Sequence, residues 1–327
     1  MLVLLWGLLA DDPLAAVLDQ LLVARIPVRF VDQREVLETR VRLRGGGERI
    51  RASVRIFDEE FSLDDVTAAY LRPYASRELP HVAASGPQSE ACHHADAVDG
   101  AMATWCELTT ALLVNPFEPM AANNSKPYQL EQIRKLGWRV PSTLITTDPA
   151  AARDFWERHG SAVYKSISGV RSKVSRLQAE HLDRFASISS CPTQFQEYIA
   201  GVDYRVHVVG QDVFACEISS EADDYRYAQA PYAVHACQLP ADVEDCCRSL
   251  ASCLRLPLAG IDLRRTPDGE WVCFEVNPSP GFTCFGAEMA QRIAQALVGL
   301  LTQEAQQPLP VAVVEPAAML TGETVTV

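Results

Sequence analysis

The chain has 327 residues, of which 48% are hydrophobic and 22% charged, a composition typical of a globular protein with two or three domains. Its formal net charge of −13 argues against general nucleic-acid binding, which requires a basic surface. No apolar run approaches the roughly 20 residues of a membrane-spanning helix. Ten scattered cysteines without a CxxC pair favour a reducing compartment. We therefore expect a cytoplasmic protein that binds neither nucleic acid nor membrane.

The first 120 residues are predicted to form an α/β domain. The apolar start has no basic segment before it, so we interpret it as a buried strand and not as a signal peptide. The order strand, helix, strand, which opens a parallel sheet, is predicted by "LVLLWGLL", "PLAAVLDQLLVARI" and "PVRFVD". A hairpin, another strand and a helix are then predicted by "VRLRGGGERIRASVRIF", "TAAYLRPY" and "EACHHADAVDGAMATWCELTTALL".

Two further domains and a tail are predicted after this boundary. Residues 121–193 combine a helix in "SKPYQLEQIRKLGWRVP", the strand "TLITT", a capped helix in "DPAAARDFWERHG" and the strand of "SAVYKSISG". Residues 194–305 contain two or three strands with a turn at Gly210-Gln211, a helix, a strand pair around "PDG" and a closing helix. Residues 306–327 are rich in proline and small side chains, so we expect a loose tail or an edge strand.

Three oxygen-bearing side chains are predicted to meet at one end of that strand pair. Glu275 and Asn277 lie two apart in "CFEVNPSPGF", so they point to the same face of a strand. Antiparallel pairing across "PDG" brings Asp262 to the same end. Such a set suits Mg²⁺, which takes oxygen ligands and keeps room for water and phosphate. The alternative is that Asn277 only begins the turn before Pro278.

Two lysines are candidate phosphate ligands in a chain without a GxxxxGK or GxGxxG motif. Lys126 begins a predicted helix, and Lys165 ends the apolar strand "AVYK", where it must reach an anion or solvent. The segment "SISGVRSKV" after Lys165 could supply backbone N–H groups to phosphate.

Five segments occur in order and at fitting intervals, namely "NNSKPYQLEQIRKLGWRVPSTLITTDP", "VYKSISG", "FQEYIAGVDYRVHVVG", "AGIDL" and "FEVNPSPGF". Together they resemble the ATP-grasp ligases of the RimK-like branch over residues 120–305. The resemblance implies a Rossmann-like α/β domain followed by a two-lobed ATP-grasp fold. It also implies ATP and Mg²⁺ as cofactors, with two ions, or Mn²⁺ in their place.

The resemblance assigns roles to particular positions of this chain. Lys126 and Lys165 would hold ATP phosphates, while Arg205 and Arg226 would stabilise the phosphoryl group in transfer. The adenine would be read by Gln196, Glu197, Tyr198 and Ile199, with Asp203 near the ribose and Asp262, Glu275 and Asn277 on the metal ions. The phosphate segment has one glycine where many relatives have several, and "SEADDYRYA", which contains Arg226, matches more loosely than the other segments.

The implied reaction couples a carboxylate to an amine or hydroxyl through an acyl phosphate. The "AYLRPY" strand and "EISSEADDYRYA" are similar to ligases that modify ribosomal peptides, such as the microviridin-type macrocyclases, which makes a precursor peptide one candidate partner. The "NPSPGF" turn is closer to general RimK-like members. A small-molecule ligase of the RimK or glutathione-synthase type, a kinase and a non-catalytic ATP-binding regulator remain alternatives, and a homodimer is left open.

Arginines alternate with apolar residues on both arms of the predicted hairpin, at positions 40, 42, 44, 49, 51 and 55. This pattern fits either a solvated face or a cradle for an acidic peptide or carboxylate substrate. His93 and His94 lack further ligand spacing and are interpreted as surface residues.

Overall fold

A computed structural model describes residues 1–45, 51–121, 125–167, 174–220 and 233–303. Residues 168–173 of the predicted phosphate segment "SISGVRSKV" lie outside these described residues, as do Arg49, Arg226 and the tail at 306–327. Within the described ranges, no helix is both long and apolar enough to cross a membrane. All ten cysteines fall inside them, and each is a free thiol.

The N-terminal region contains one parallel and one antiparallel sheet. Its elements are β1 (Val3–Gly7), α1 (Asp12–Val23), β2 (Val28–Asp32), β3 (Thr39–Arg44), β4 (Arg51–Ile56), β5 (Glu59–Ser62), β6 (Ala68–Arg72), α2 (Pro80–Ala83), α3 (Glu90–Leu108), β7 (Leu112–Val114) and α4 (Phe117–Ala121). The parallel sheet has the order β2-β1-β6-β7, and the antiparallel sheet has the order β3-β4-β5. The predicted strand–helix–strand opening and the hairpin are therefore confirmed.

The sequence-based prediction of a helix through residue 113 was wrong at its C-terminal end. Helix α3 stops at Leu108, and the Thr109 hydroxyl accepts a hydrogen bond from the Ala111 N–H at 3.1 Å. Leu112–Val114 then pairs with β6 in parallel. A short apolar run fits a buried strand as well as a helix by periodicity alone, so only the neighbouring strand decides between them.

The middle region folds around a four-stranded antiparallel sheet of order β10-β9-β11-β8. Its elements are α5 (Lys126–Lys135), β8 (Thr143–Thr146), α6 (Pro149–His159), β9 (Ala162–Ser166), β10 (Ser175–Arg176) and β11 (Thr193–Glu197), with a 3₁₀ segment over Ala179–Ser190. Asp148 caps α6 as predicted, because its carboxylate accepts a hydrogen bond from the Ala150 N–H at 2.9 Å.

The C-terminal region is a five-stranded antiparallel sheet of order β14-β13-β12-β15-β16 flanked by two helices. Its elements are β12 (Val202–Val209), β13 (Asp212–Ser219), β14 (Ala233–Cys237), α7 (Ala241–Cys253), β15 (Leu258–Arg265), β16 (Trp271–Asn277) and α8 (Ala287–Thr302). The turn at Gly210-Gln211 and the strand pair around "PDG" are confirmed.

One hydrophobic cluster joins the N-terminal and C-terminal regions. Val3 and Leu5 of β1 pack in the same buried cluster as Leu258 of β15 and Ile293 of α8. The buried Asn115 side chain accepts a hydrogen bond from the Leu258 N–H at 2.9 Å and donates to the Leu258 and Pro278 carbonyls. The N-terminal region therefore supports the end of the strand that leads into the "NPSPGF" turn, while the boundary at residue 120 stays a prediction.

Candidate nucleotide and metal site

The middle and C-terminal sheets line one cleft. Its walls are formed by Val163, Lys165, Val174, Gln196, Glu197, Tyr198, Ile199, Asp203, Tyr204, Asp262, Leu263, Arg264, Phe274 and Glu275. Lys165, the segment 196–199, Asp203, Asp262 and Glu275 were all assigned to the site from sequence. The fold thus brings together positions that are separated by more than a hundred residues in the chain.

Two carboxylates face each other across the β15–β16 pair. Asp262 is in register with Glu275, so both side chains project to the same face. Asp262 forms an ion pair with the buried Arg205 of β12, and Glu275 lies 3.8 Å from the Lys126 Nζ at the start of α5. Each carboxylate is thereby held beside a cation that the sequence assigned to phosphate chemistry.

The geometry of Asn277 is compatible with both interpretations that the sequence left open, a metal ligand and the start of a turn. Asn277 follows Glu275 by two residues on the same strand face, and its side-chain oxygen accepts a hydrogen bond from the Ser279 N–H at 2.9 Å. It therefore begins the turn. An amide oxygen has a second lone pair, so this bond leaves it able to take a further donor or metal.

The donor set fits a hard divalent cation. Across the described residues, no group of three or more His, Cys, Asp or Glu side chains is placed to hold a metal ion. Two carboxylates and one amide oxygen are instead an incomplete set, which suits Mg²⁺ because this ion keeps water and phosphate oxygens in its octahedral shell. Asp262, Glu275 and Asn277 would hold it.

The close packing behind Asp262 and Glu275 requires a glycine at position 260. Gly260 lies opposite Asn277, and a Cβ at this position would come within 2.6 Å of Pro280 Cβ and 3.0 Å of an Arg205 guanidinium nitrogen. The absence of a side chain lets Arg205 reach Asp262 while the turn folds over the strand.

Lys165 has a neighbour that sequence reasoning missed. Gln194 of β11 is in register with Lys165 of β9, so both side chains lie on the same sheet face. Gln194 is 1% exposed, and neither its amide nitrogen nor its amide oxygen has a hydrogen-bond partner. A buried amide without a partner costs stability, which makes it a candidate ligand contact. In "TQFQE" the two glutamines flank Phe195. This alternation could have indicated that both glutamine side chains point to the sheet face opposite the Phe195 core.

The segment 196–199 is fixed by backbone and side-chain bonds. The N–H groups of Glu197 and Tyr198 donate to the carbonyls of Ser142 and Ser161 at 2.9 and 3.1 Å. The Tyr198 ring is covered by Arg176, whose guanidinium carbon lies 3.7 Å from the ring centroid. These contacts fix the position of the segment in the wall of the cleft.

Arg264 lines the cleft, and the sequence analysis did not identify it. It donates to both carboxylate oxygens of Asp203 at 2.7 and 2.9 Å, and to the Ile199 carbonyl at 2.6 Å. Asp203 thus lies in the cleft as expected, with its charge already balanced. The arginine ties the segment 196–199 to the C-terminal sheet.

Side chains of α5 and β6 contact β16 and the turn that follows it. The Gln129 side chain of α5 donates to the Val276 carbonyl at 2.6 Å and accepts from the Val276 N–H at 3.0 Å. Arg72 of β6 forms an ion pair with Asp11 and donates to the Ser279 hydroxyl at 3.0 Å. The strand between Glu275 and Asn277 is therefore clamped from the side, and the N-terminal region grips the turn that follows.

His207 lies behind the site and is uncharged at neutral pH. It is fully buried, and its ring packs edge-on against Phe285 with centroids 5.4 Å apart. Burial, with a further contribution from the Arg205 charge, lowers the pKa of His207 to about 3. It therefore adds no charge beside Arg205.

Comparison with known protein families identifies the family of this chain. The family model described as the RimK-like ATP-grasp domain matches residues 122–301. The chain belongs to this family. The RimK-like ATP-grasp resemblance and the mixed α/β fold class are thereby confirmed, while the Rossmann-like description of the N-terminal region stays a prediction.

Solved structures of ATP-grasp ligases share the fold. PsnB, complexed with a phosphomimetic variant of its minimal precursor, Mg and ADP, is 26% identical, with 91% of this chain and 98% of that chain covered and a TM-score of 0.77. The macrocyclase MdnC from Microcystis aeruginosa, bound with its precursor peptide MdnA, is 22% identical, with 93% and 100% covered and a TM-score of 0.77.

A ligase from Chryseobacterium gregarium, associated with ribosomally made peptides, is 20% identical, with 94% and 98% covered and a TM-score of 0.79. It was solved with ADP and a leader and core peptide. A search of curated proteins gave no match. Each of these three solved ligases was complexed with a peptide.

Proposed function

We propose that this RimK-like ATP-grasp ligase uses ATP and Mg²⁺ to join a carboxylate to an amine or hydroxyl of a peptide substrate through an acyl phosphate. The observation that carries the proposal is the shared cleft, in which Lys165, the segment 196–199 and the carboxylate pair line the same space. Separate roles for these residues would not require such convergence.

The reaction has two steps. A carboxylate oxygen of the substrate attacks the γ-phosphorus of ATP, the bond to the β,γ-bridging oxygen breaks, and ADP leaves. An amine or hydroxyl then attacks the acyl carbon, loses its proton, and expels phosphate. The product is an amide or an ester, and one ATP is consumed for each bond.

The basic residues in and beside the cleft would act mainly by neutralising charge. Lys165 and Lys126 would contact the phosphates, and Arg205, held in place by Asp262, would face the phosphoryl group during transfer. Mg²⁺ on the carboxylate pair would supply additional positive charge to the β- and γ-phosphates. No nucleophilic side chain is required for this chemistry, because the substrate carboxylate is itself the nucleophile.

A peptide substrate is supported by the relatives. PsnB, which is 26% identical over most of both chains, was solved with its minimal precursor peptide. The two less similar ligases were also solved with peptides. The coverage of 91% of this chain and 98% of PsnB favours a likeness that includes the N-terminal region.

Trapping the intermediate tests the proposal. The protein is incubated with ATP, Mg²⁺, hydroxylamine and a panel of peptides rich in aspartate and glutamate. An acyl phosphate is captured as a hydroxamate, and one ADP and one phosphate are formed for each hydroxamate. Mass spectrometry then locates the modified carboxyl group. Without hydroxylamine, a peptide that is cross-linked internally loses one water per bond.

Three outcomes separate the alternatives. A stable phosphorylated product without phosphate release would identify a kinase. Hydroxamate from free amino acids but from none of the peptides would identify a small-molecule ligase. ATP binding without any ADP formation across peptides and amino acids would identify a non-catalytic regulator and contradict the proposal.

A further inference from the structure

The hairpin of the N-terminal region carries five arginines on one exposed sheet face. In the β3–β4 register, Arg40 lies opposite Arg55 and Arg44 lies opposite Arg51, with Arg42 between them opposite Ser53. Opposed and alternate residues project to the same side of a sheet. All five arginines are exposed. We call this surface the arginine face, defined by Arg40, Arg42, Arg44, Arg51 and Arg55.

The other side of the same sheet packs against the core of the N-terminal region. Val54 is fully buried and Ala52 is 5% exposed, and both belong to the cluster that also contains Leu4 and Trp6 of β1. The alternation therefore fixes the sheet on the N-terminal core and leaves the arginines pointing away from the molecule. Packing of the hairpin does not require that these outward residues be basic.

Acidic neighbours balance the arginine face only in part. Glu60 of β5 lies opposite Arg55, and its carboxylate accepts hydrogen bonds from Arg42 at 3.2 Å and from the Ser53 hydroxyl at 2.8 Å. Within the described ranges, Arg44, Arg51 and Arg55 have no carboxylate within ion-pairing distance. In a chain with a net charge of −13, the described part of the hairpin therefore carries a local excess of positive charge.

The spacing of the guanidinium groups matches an extended acidic chain. Alternate residues on a strand are about 6.6–6.8 Å apart, the repeat at which an extended peptide presents every second side chain. Arg40 is anchored, since it donates to the Leu37 and Thr39 carbonyls and contacts His94 Nε2 at 2.9 Å. His94, interpreted as a surface residue from sequence, is half-buried and supports one end of the face.

We propose that the arginine face binds an acidic segment of the peptide substrate at a place separate from the cleft, an inference that rests on the proposed peptide ligase function. The rest of the protein is negatively charged and repels an acidic segment, whereas the arginine face attracts it. The electrostatic field of the protein therefore directs such a segment to this face. A peptide is favoured over a single-stranded nucleic acid because none of the described paired positions of β3 and β4 on this face carries an aromatic side chain to stack on bases.

Direct binding tests this assignment without requiring catalysis. A fluorescein-labelled peptide of alternating glutamate and serine is titrated with the full chain, and anisotropy gives the dissociation constant. Arg44→Glu with Arg51→Glu is compared with Arg158→Glu with Arg184→Glu, which makes the same change in net charge on exposed arginines of the middle region. We expect the first pair to weaken binding about tenfold or more, and the second less than about twofold.

Two further measurements distinguish loss of the arginine face from other causes of weaker binding. Arg44→Lys with Arg51→Lys retains the charge and should keep most of the affinity, which excludes misfolding of the hairpin as the cause. The ATP-dependent rise in melting temperature should be the same in all variants, so loss of the nucleotide site is recognised separately. Equal loss in both Glu pairs, no loss in either, or tighter binding of a labelled oligothymidylate would overturn the proposal.

Discussion

The carboxylate pair offers the sharpest test of the site, through the substitution Glu275→Gln. In the absence of ligand this change removes the attraction between Glu275 and Lys126, whose atoms are 3.8 Å apart. It also removes the repulsion between Glu275 and Asp262, which lie directly opposite. Each effect is worth about 0.2–1 kcal/mol with opposite sign. We therefore expect the melting temperature of the free protein to change by less than about 2–4 °C.

In the presence of ATP and Mg²⁺ the same substitution has a large expected effect. A ligand at 100 times its dissociation constant stabilises the native protein by about 2.7 kcal/mol. If Glu275 holds the ion, its loss weakens Mg-dependent binding about 100-fold, and the stabilisation falls to about 0.4 kcal/mol. With EDTA in place of Mg²⁺, ATP should stabilise the parent and the variant by the same small amount.

The assay is a thermal scan with ATP, with and without Mg²⁺, beside a measurement of phosphate release. Glu270→Gln is the matched control, because Glu270 is exposed, pairs with Arg139 outside the cleft and undergoes the same chemical change. A Glu275→Gln protein that keeps the full Mg-dependent shift and normal turnover would refute the metal assignment. The carboxylate pair would then be a structural feature of the strand end.

Three further predictions follow from the cleft and its surroundings. Lys165→Ala should reduce the ATP-dependent rise in melting temperature with and without Mg²⁺, whereas Lys165→Arg should retain part of it; equal shifts would remove Lys165 from the phosphate site. Gln194→Met should raise the free energy of unfolding by about 1 kcal/mol in denaturant titrations without ATP, since the buried amide has no partner; a loss of stability would show that the amide is satisfied. His207 has a pKa lowered from 6.5 to about 3 in the folded state, so the unfolded chain binds the extra proton between these values and stability falls as pH falls. The parent should lose about 2 kcal/mol more than His207→Phe between pH 7 and pH 5, and equal losses would contradict the buried neutral histidine.

The sequence by itself determined the elements and much of the chemistry. Period-two and helical patterns placed the strands of the arginine hairpin and the capped helix after Asp148, because local side-chain alternation and capping depend on near neighbours. The two-residue spacing of Glu275 and Asn277, with the turn signal "PDG", was enough to place Asp262 at the same end of the strand pair, and the structure then gave the register of Asp262 with Glu275. The ordered segments were enough to indicate the family.

The tertiary structure alone decided which residues support the site. Gln129 clamps Val276 from a helix that lies 147 positions earlier in the chain, and Arg72 reaches Ser279 across 207 positions. Arg264 joins Asp203 to Ile199, and Gln194 is buried beside Lys165. The strand Leu112–Val114 likewise depends on β6. A local pattern carries no information on which distant element will supply a partner, because a buried polar group needs a hydrogen bond and any correctly placed backbone can provide it.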